Sequence, residues 1–361
     1  MKNILKLLVV VALIAFFSEG CKKNTPVVPI NGYSSVYSSN QVFDSGKVNF
    51  TDVCNYMDTG MVQGSLKVYG HQGTIFTIPV WAFITDTTVL TAASFGDYVW
   101  GNVCFHYKEF YKTSDFILNN MTTFTDSGNF NTLGHKQWIG QSAGVLQISA
   151  DVNGSPVYLS QVLGADSMKR IHIQVPANSG YINDINHGLY VYNANWDTLN
   201  NISTYYNNII WWMPKQDTTL YSSTNPNFLV YNSDSLGWIN FMDTTCLNRM
   251  NLHPTTTFTI YPPTSSSFAD VQIFFIMGNR IVAKAYPIFP GSTQYQIPNV
   301  PIGYKGTIVS WCVSTGHILY YYENTIEPIK ANQTLTISYT QQTSIDTVML
   351  KVRAWDNVYT Q

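Results

Sequence analysis

The sequence predicts an all-β protein of tandem antiparallel β-sandwiches, and three observations support that fold class. In several segments apolar and polar residues alternate with a period of two, which is typical of strands with one buried and one solvated face. Turn-forming residues separate these segments about every ten residues, the spacing of sandwich strands. Helical periodicity is scarce, and strands without helices between them favour sandwiches over a parallel sheet.

The chain begins with a segment that is typical of a bacterial export signal. Lys2 and Lys6 precede an unbroken apolar run, Leu7 to Phe17. This run is about half as long as a membrane-spanning helix needs to be. Residues 1–20 are therefore expected to be a cleaved lipoprotein signal peptide rather than a membrane-spanning anchor.

The segment Ser18-Glu19-Gly20-Cys21 is similar to a lipobox, in which the Cys becomes the lipidated N-terminus. Glu19 departs from that pattern, because the position is normally small and uncharged. The alternative is an ordinary signal peptide cut nearby, with Cys21 unmodified. Several acyl chains on Cys21 would anchor the protein stably in a membrane. Lys22 is similar to the outer-membrane sorting signal of other bacteria, so we expect a lipid-anchored outer-membrane protein, on its cell-surface or periplasmic face.

Composition limits the classes of protein that fit. About 340 of the 361 residues remain after signal removal, which suggests two or three domains. Hydrophobic residues make up 45% and charged residues only 11%, against roughly 25% charged residues in a typical soluble domain. The formal net charge is −2 and there is no basic stripe. Nucleic-acid binding, which needs a concentrated positive field, is therefore excluded.

The first elements expected after the signal are a tether and a sandwich. Residues 21–45 predict a flexible tether, because they are rich in Ser, Asn and Pro and lack periodicity. An N-terminal β-sandwich region is expected over residues 46–235, with room for two subunits. Val99–Tyr107, Val145–Val152 and Ile171–Val175 alternate in it as strands.

Two local signals interrupt these strands. Asp151-Val152-Asn153-Gly154 is rich in turn formers and predicts a turn. Thr113-Ser114-Asp115 predicts the capped start of one short helix that runs through Asn120. This helix is nearly the only one that we expect in the chain.

A second, Ig-like sandwich is expected over residues 236–361, starting near Leu236-Gly237-Trp238-Ile239-Asn240. About six or seven strands follow, which is enough for such a sandwich. Gly278-Asn279 separates Val271–Met277 from Arg280–Tyr286 and predicts a two-residue hairpin turn.

Besides Cys21, the chain has the cysteines Cys54, Cys104, Cys246 and Cys312. In an oxidising compartment four cysteines allow three pairings. If the pairs form within domains, Cys54 pairs with Cys104 and Cys246 with Cys312. The alternative is that all four are small buried side chains.

The residues suited to covalent or metal chemistry do not assemble into a recognisable motif. Gly140-Gln141-Ser142-Ala143-Gly144 matches the nucleophile-elbow pattern, which requires a strand, a sharp turn and a helix. The next residues alternate like a strand, so a hairpin explains the glycines better. His106 and His172 fall on outward strand faces, and no His pair has metal-binding spacing. We therefore expect a protein that is not an enzyme, with no catalytic residue, metal or cofactor.

Two aromatic clusters, Trp211-Trp212 and Tyr320-Tyr321-Tyr322, are the remaining candidate binding residues. Neighbours in a strand point to opposite faces, so part of each cluster is expected to face outward. Exposed rings stack on sugars or dock a protein partner. The alternative is that the core covers one side and a neighbouring domain covers the other.

Several segments, taken in order, carry a resemblance to a protein family: Gly73–Pro79, Val103–Tyr111, Ser114–Asn120, Met121–Thr123, Asn153-Gly154, Ile171–Pro176 and Leu236–Asn240. This order resembles predicted lipoproteins of the Bacteroidota over residues 60–340. The resemblance implies a ZU5-like β-sandwich followed by an Ig-like or carboxypeptidase-regulatory-like sandwich. The family has no settled function. Where many relatives have a Cys and an acidic residue after Gly-Trp-Ile-Asn, this chain has Phe241-Met242-Asp243.

A modification pattern points to the same group of organisms. Seven Asp-Ser or Asp-Thr pairs are followed by Thr or a larger apolar residue, and this resembles the O-glycosylation signal of exported Bacteroidota proteins. The candidate sites are Thr87, Ser167, Thr198, Thr218, Ser235, Thr244 and Thr347. The alternative is that these pairs only favour turns through side-chain to backbone hydrogen bonds.

Three hypotheses on function follow. The first is a non-enzymatic binding or structural module at the outer membrane or cell surface, with an unknown protein or glycan partner. The second is a carbohydrate-capturing or carbohydrate-processing accessory protein, with a cleft lined by Trp212, Tyr321 and paired Asp side chains. The third is a periplasm-facing structural lipoprotein whose exposed, uncharged strand edges pair with neighbours.

Overall fold

A computed structural model of the chain describes residues 39–57, 65–79, 82–85, 99, 101–126, 137–159, 170–176, 211–212, 220–221, 228–233, 236–243, 254–263, 268–288 and 292–357. These residues belong to one compact unit. Strands dominate it and pair mainly antiparallel, so the predicted all-β class is confirmed. No described helix has the length and apolar character needed to cross a lipid bilayer.

The strands of the first half are, in chain order, β1 Thr51–Met57, β2 Ser65–Tyr69, β3 Ile75–Pro79, β4 Phe83–Ile84, β5 Gly101–Phe110, β6 Phe124–Asp126, β7 Gln137–Ile139, β8 Gln141–Val152, β9 Ser155–Pro156, β10 Tyr158–Leu159, β11 Ile171–Pro176, β12 Trp211–Trp212, β13 Leu220–Tyr221, β14 Phe228–Ser233 and β15 Gly237–Asp243. Sheet I has the order β1-β5-β8-β15, with β9 also paired to β8. Sheet II has the order β13-β14-β11-β3-β2. A two-stranded sheet pairs β10 with β4, and a three-stranded sheet has the order β12-β6-β7.

The core of the first sandwich lies between sheets I and II and follows from the period-two pattern. Phe105 and Tyr107 of β5 and Ile148 of β8 point into it, as the alternation predicts. The ring of Phe76 in β3 lies 5.2 Å from each of the two β5 rings, measured between centroids. Each such apolar side chain stabilises the fold by about 1.5–3 kcal/mol. The residues between them on β5 are thereby turned outward.

The boundary between the two sandwiches differs from the prediction. The sequence places the start of the second sandwich at Leu236, but β15 pairs antiparallel with β8 and is an edge strand of sheet I. Ile239 and Phe241 are buried in the first core. The pattern of a strand shows which face is buried but not which strand is its partner. The second sandwich therefore begins after Asp243.

The strands of the second half are β16 Thr255–Tyr261, β17 Phe268–Gly278, β18 Ile281–Lys284, β19 Tyr286–Pro287, β20 Tyr295–Pro301, β21 Gly306–Ser314, β22 Leu319–Ile326, β23 Thr334–Thr336 and β24 Gln341–Gln342. Sheet III has the order β19-β20-β16-β23, and its pair β16–β23 is parallel. Sheet IV has the order β18-β17-β21-β22-β24. Between these sheets, Phe258 and Phe275 pack with ring centroids 5.5 Å apart. Tandem sandwiches are therefore confirmed.

Sheet IV is covered on both faces, unlike the half-solvated sheet expected. All residues of β21 except the last are buried. Ile308 and Cys312 face the core between sheets III and IV, whereas Val309 and Trp311 face a third core on the other side. β21 carries apolar residues on both faces, interrupted by the buried polar residues Thr307 and Ser310, and apolar residues on both faces are the pattern of a strand buried on both sides.

Three helices contribute to the third core: α1 Ser39–Gly46, α2 Thr113–Leu118 and α3 Ile345–Ala354, the last continued by a 3-10 helix, Trp355–Asn357. The expected tether over residues 21–45 is wrong at its C-terminal end, because α1 is folded. Val42 is fully buried, and the ring of Phe43 lies 5.4 Å from that of Trp311. The α1 side chains are thus part of the body of the protein.

Helix α2 confirms the helix predicted near Thr113, whereas α3 was not expected. Ser344 begins α3, and its Oγ accepts a hydrogen bond of 3.3 Å from the backbone N–H of Thr347. The apolar positions of α3 that face the third core are Ile345, Val348, Met349 and Val352. This i, i+3, i+4, i+7 spacing is a helix signal, so the scarcity of helix was overestimated from the sequence.

The β17–β18 hairpin joins the second sandwich to the first. Its turn residues are Asn279 and Arg280, one position later than predicted, and Arg280 has a left-handed φ of 57°. The buried Arg280 donates from Nη1 to the carbonyl of Ala143 at 2.6 Å. The backbone N–H of Ser142 donates to the Arg280 carbonyl at 3.1 Å. The hairpin is therefore hydrogen-bonded to β8 of sheet I.

Candidate functional site

The outward face of sheet I carries a cluster of charged side chains, here called the His106 triad: Asp52, His106 and Asp151. They come from the adjacent strands β1, β5 and β8, and Asp52 lies directly opposite His106. His106 Nδ1 is 2.7 Å from Asp52 Oδ1, and Nε2 is 2.5 Å from Asp151 Oδ2. Both ring nitrogens face carboxylates, so the doubly protonated imidazolium fits this site best.

The electrostatics of the His106 triad agree with its geometry. Partial burial lowers the pKa of His106, but the hydrogen bonds and charges of Asp52 and Asp151 outweigh it, and the pKa is raised. The hydrogen bond from His106 lowers the pKa of Asp151. Asp151 also accepts a hydrogen bond of 2.8 Å from the backbone N–H of Gly154. The Asn-Gly turn predicted from the sequence therefore also positions this carboxylate.

An aromatic ring and an amine lie beside the His106 triad. The Nζ of Lys108 is 4.1 Å from the ring centroid of Phe50, a cation–π contact. Phe50 is 41% exposed and meets the His106 ring edge-on at 6.4 Å. Burial lowers the pKa of Lys108, and the charge of Lys47 lowers it further. This face therefore offers a solvated surface of charges with one exposed ring.

Both ring nitrogens of His106 are already engaged by carboxylates. As an imidazolium it would have to lose a proton and break an ion pair before it could accept a proton or bind a metal. Within the part of the chain that the structure describes, no group of three or more His, Cys, Asp or Glu side chains is placed to hold a metal ion.

A disulfide lies next to the triad on the same pair of strands. Cys54 and Cys104 are directly opposite each other, and their sulfurs are 2.07 Å apart. The second pairing in the sequence prediction is not formed, since Cys312 is a free, fully buried thiol. Burial raises the pKa of Cys312 to about 12, so it stays protonated. Cys246 lies outside the described residues.

Two polar residues with catalytic chemistry have structural partners instead. Ser142 is buried in β8, where it donates to Asn240 Oδ1 at 2.6 Å and accepts from the Gly144 N–H at 3.1 Å. The chain continues as a strand beyond Gly144. The strand predicted over Val145–Val152 is thus confirmed, but the hairpin predicted at Gly140–Gly144 is wrong, because β8 already begins at Gln141 and does not pair with β7.

Glu109 is buried in β5 beneath the β2–β3 turn. Its carboxylate accepts hydrogen bonds from the backbone N–H groups of Gln72 at 2.9 Å and Thr74 at 3.1 Å. The hydroxyl of Thr74 donates to it at 2.5 Å. These bonds offset the cost of burying a charge. Glu109 therefore fastens the turn between β2 and β3.

The predicted aromatic binding residues have different environments. Tyr321 is buried in the third core, where Lys351 Nζ lies 4.5 Å above its ring, so its expected exposure is wrong. Tyr320 and Tyr322 are half-buried against the core between sheets III and IV. The cover on both faces comes from α3 and the second sandwich. Trp211-Trp212 forms β12, parallel to β6.

Most of the predicted modification sites lie outside the described residues: Cys21, Thr87, Ser167, Thr198, Thr218, Ser235 and Thr244. Thr347 is described, exposed and in the first turn of α3. Its backbone N–H and its hydroxyl both bond to the cap residue Ser344, the latter at 3.0 Å. The capping side chain is that of Ser344, so these bonds decide neither interpretation of the Asp-Thr pair, and glycosylation of Thr347 stays a prediction.

Comparison with known proteins identifies no relative. No protein-family model, no curated protein and no solved structure matches this chain significantly. The resemblance to Bacteroidota lipoproteins therefore remains a prediction.

Proposed function

We propose that the protein is a non-enzymatic, lipid-anchored protein of the outer membrane that acts as a binding or structural module for a protein or glycan partner. The observation that carries this proposal is the Cys54–Cys104 disulfide on a solvent-facing strand pair. Such bonds form and persist in oxidising compartments outside the cytoplasm. The disulfide thus supports the export that the N-terminal sequence predicts.

The way the N-terminus enters the fold supports an anchored module. α1 starts at Ser39, and a fully extended chain from Cys21 to that residue spans at most about 65 Å. α1 is packed into the third core through Val42. A lipid on Cys21 would therefore hold a rigid body within that distance of the membrane.

The roles of the polar residues also support a module without catalysis. Ser142 and Glu109 hold strands and a turn together, and His106 is bound on both sides by carboxylates. The carbohydrate cleft expected from the sequence loses one of its rings, because Tyr321 is inside the third core. The structural alternative has one specific observation in its favour, the exposed edge of sheet I at β1.

The experiment that tests the proposal measures whether Cys21 is lipidated and on which side of the outer membrane the chain lies. Cells grown with a clickable palmitate analogue are compared for the wild type and Cys21→Ser, and only the wild type is expected to carry the label. Protease shaving of intact labelled cells, followed by mass spectrometry, then assigns the face. Peptides from residues 46–361 support a surface module, and protection until the outer membrane is opened supports the periplasmic one. An unlabelled wild type would refute the anchor.

A further inference from the structure

Strand β1 forms an exposed edge of sheet I. Among the described strands it pairs only with β5. Asp52 and Cys54 are exposed, and Val53 is only partly buried although it packs against the first core. Natural edge strands are usually protected by charges, prolines or bulges. β1 has none of these except Asp52, whose charge is already paired with His106.

The backbone groups that β1 presents outward can be assigned from its pairing with β5. The Cα atoms of Cys54 and Cys104 are 3.9 Å apart, which matches the narrow, non-hydrogen-bonded pairs of an antiparallel ladder. Residues two positions away share this geometry. The N–H and C=O groups of Asp52, Cys54 and Tyr56 therefore point away from β5, toward the open edge.

We propose that two copies of this chain associate through antiparallel pairing of their β1 strands, centred on Cys54. β1 runs from Thr51 to Met57, so Cys54 is its middle residue. In this register Asp52 of one copy lies opposite Tyr56 of the second copy, and the outward groups bond to each other. No like charges meet across the two-fold axis, and sheet I continues from one copy into the other.

Two exposed aromatic residues lie beside this edge. Phe50, 41% exposed, precedes β1, and Tyr69, 67% exposed, ends β2, the neighbouring edge of sheet II. The hydroxyl of Tyr107 donates to the Tyr69 carbonyl at 3.2 Å, and Tyr107 is also the register partner of Thr51. Both residues are therefore at the Thr51 end of the edge. The Phe50 ring lies against His106 and Lys108 on the outward face of β5, so Tyr69 is the aromatic residue that a second copy would contact.

The proposed dimer depends on the lipid anchor proposed above for its effective concentration. Two copies anchored in one membrane meet at a raised effective concentration, so a short strand contact is enough for association. A two-fold axis perpendicular to the membrane lets both tethers reach the same surface. Self-pairing of β1 then makes the protein a dimeric structural module.

The test changes the charge at residue 56, which lies opposite Asp52 of the second copy. Dimerisation of the full-length chain in detergent micelles is measured by sedimentation velocity over a concentration series. Tyr56→Asp places a carboxylate opposite Asp52 of the second copy, twice by symmetry, and should weaken dimerisation about tenfold. Tyr56→Lys places an amine there and should leave the dimer as tight or tighter. Asn102→Asp adds the same charge on the inner strand β5 and should have no effect.

A second measurement keeps the test independent of folding defects in the variants. A photo-crosslinking phenylalanine derivative in place of Tyr56 should give a homodimer in cells, with the crosslink mapped near Asp52. A wild-type monomer at all concentrations, equal effects of all three substitutions, or a crosslink to a different protein would overturn the self-pairing. Palmitate labelling is read separately, so loss of the anchor and loss of the dimer are distinguishable.

Discussion

Val42→Ala tests whether α1 belongs to the folded body. Val42 is fully buried in the third core. The substitution removes two carbon groups, each giving about 0.8 kcal/mol of transfer free energy. The cavity that remains adds to this cost because neighbours relax only in part. We expect the free energy of unfolding to fall by about 2–3 kcal/mol.

The assay is urea unfolding of the full-length chain in detergent, followed by tryptophan fluorescence. Trp311, one of nine tryptophans in the chain, is fully buried and its ring lies 5.4 Å from that of the α1 residue Phe43, so part of the emission reports on the same core. Asp44→Ala is the matched control, since Asp44 is exposed on the same helix. The control should change stability by less than about 0.5 kcal/mol. Equal, small effects of both variants would show that α1 is tether, as the sequence suggested, and would refute the packing argument.

Three further predictions concern the outward face and β8. Because the pKa of His106 is raised, its stabilising contribution is complete below its unfolded pKa of 6.5 and is lost as pH rises through the folded pKa. NMR titration should show Asp151→Asn lowering the pKa of His106, and an unchanged value would contradict the triad. The lowered pKa of Asp151 works in the opposite direction: its contribution is complete above 3.8 and is lost as pH falls through the folded pKa. Ser142→Ala removes two buried hydrogen bonds and should cost about 1–3 kcal/mol in urea unfolding; Ser142→Thr, which keeps the hydroxyl, separates that loss from a packing effect. Replacing both Cys54 and Cys104 by Ser opens a loop with a sequence separation of 50 and should cost about 4 kcal/mol. Equal stability of the oxidised wild type and this variant would contradict that estimate.

The local elements of the fold were largely predictable. β5, β8 and β11 follow from period-two alternation, and the turn at Asn153-Gly154 follows from its two residues with positive φ. The helix α2 was likewise predictable from Thr113-Ser114-Asp115, although its N-cap is Lys112, whose backbone N–H donates to the Asp115 carboxylate. Each of these signals is contained in a few consecutive residues.

Which face of a strand is covered by another element was harder to predict than the strand itself. Tyr321 was expected to face outward, yet it lies in the third core, where Lys351 of α3 covers its ring. The burial of β21 on both faces was not predicted, and neither was the second cover that α1 and α3 supply. The identity of a covering element depends on chain segments far away in sequence.

The candidate site shows the same division. His106 was placed on an outward face, but its partner Asp52 is 54 residues away and Asp151 is 45 residues away. Neither separation leaves a trace in the sequence pattern, because strand register is set by the whole sheet. The sequence by itself determined the strands, the turns and which residues of β5 point outward, since these depend on backbone periodicity. Only the tertiary structure decided the partners of His106, the sheet that β15 joins and the open edge at β1, because each depends on which distant strands lie side by side.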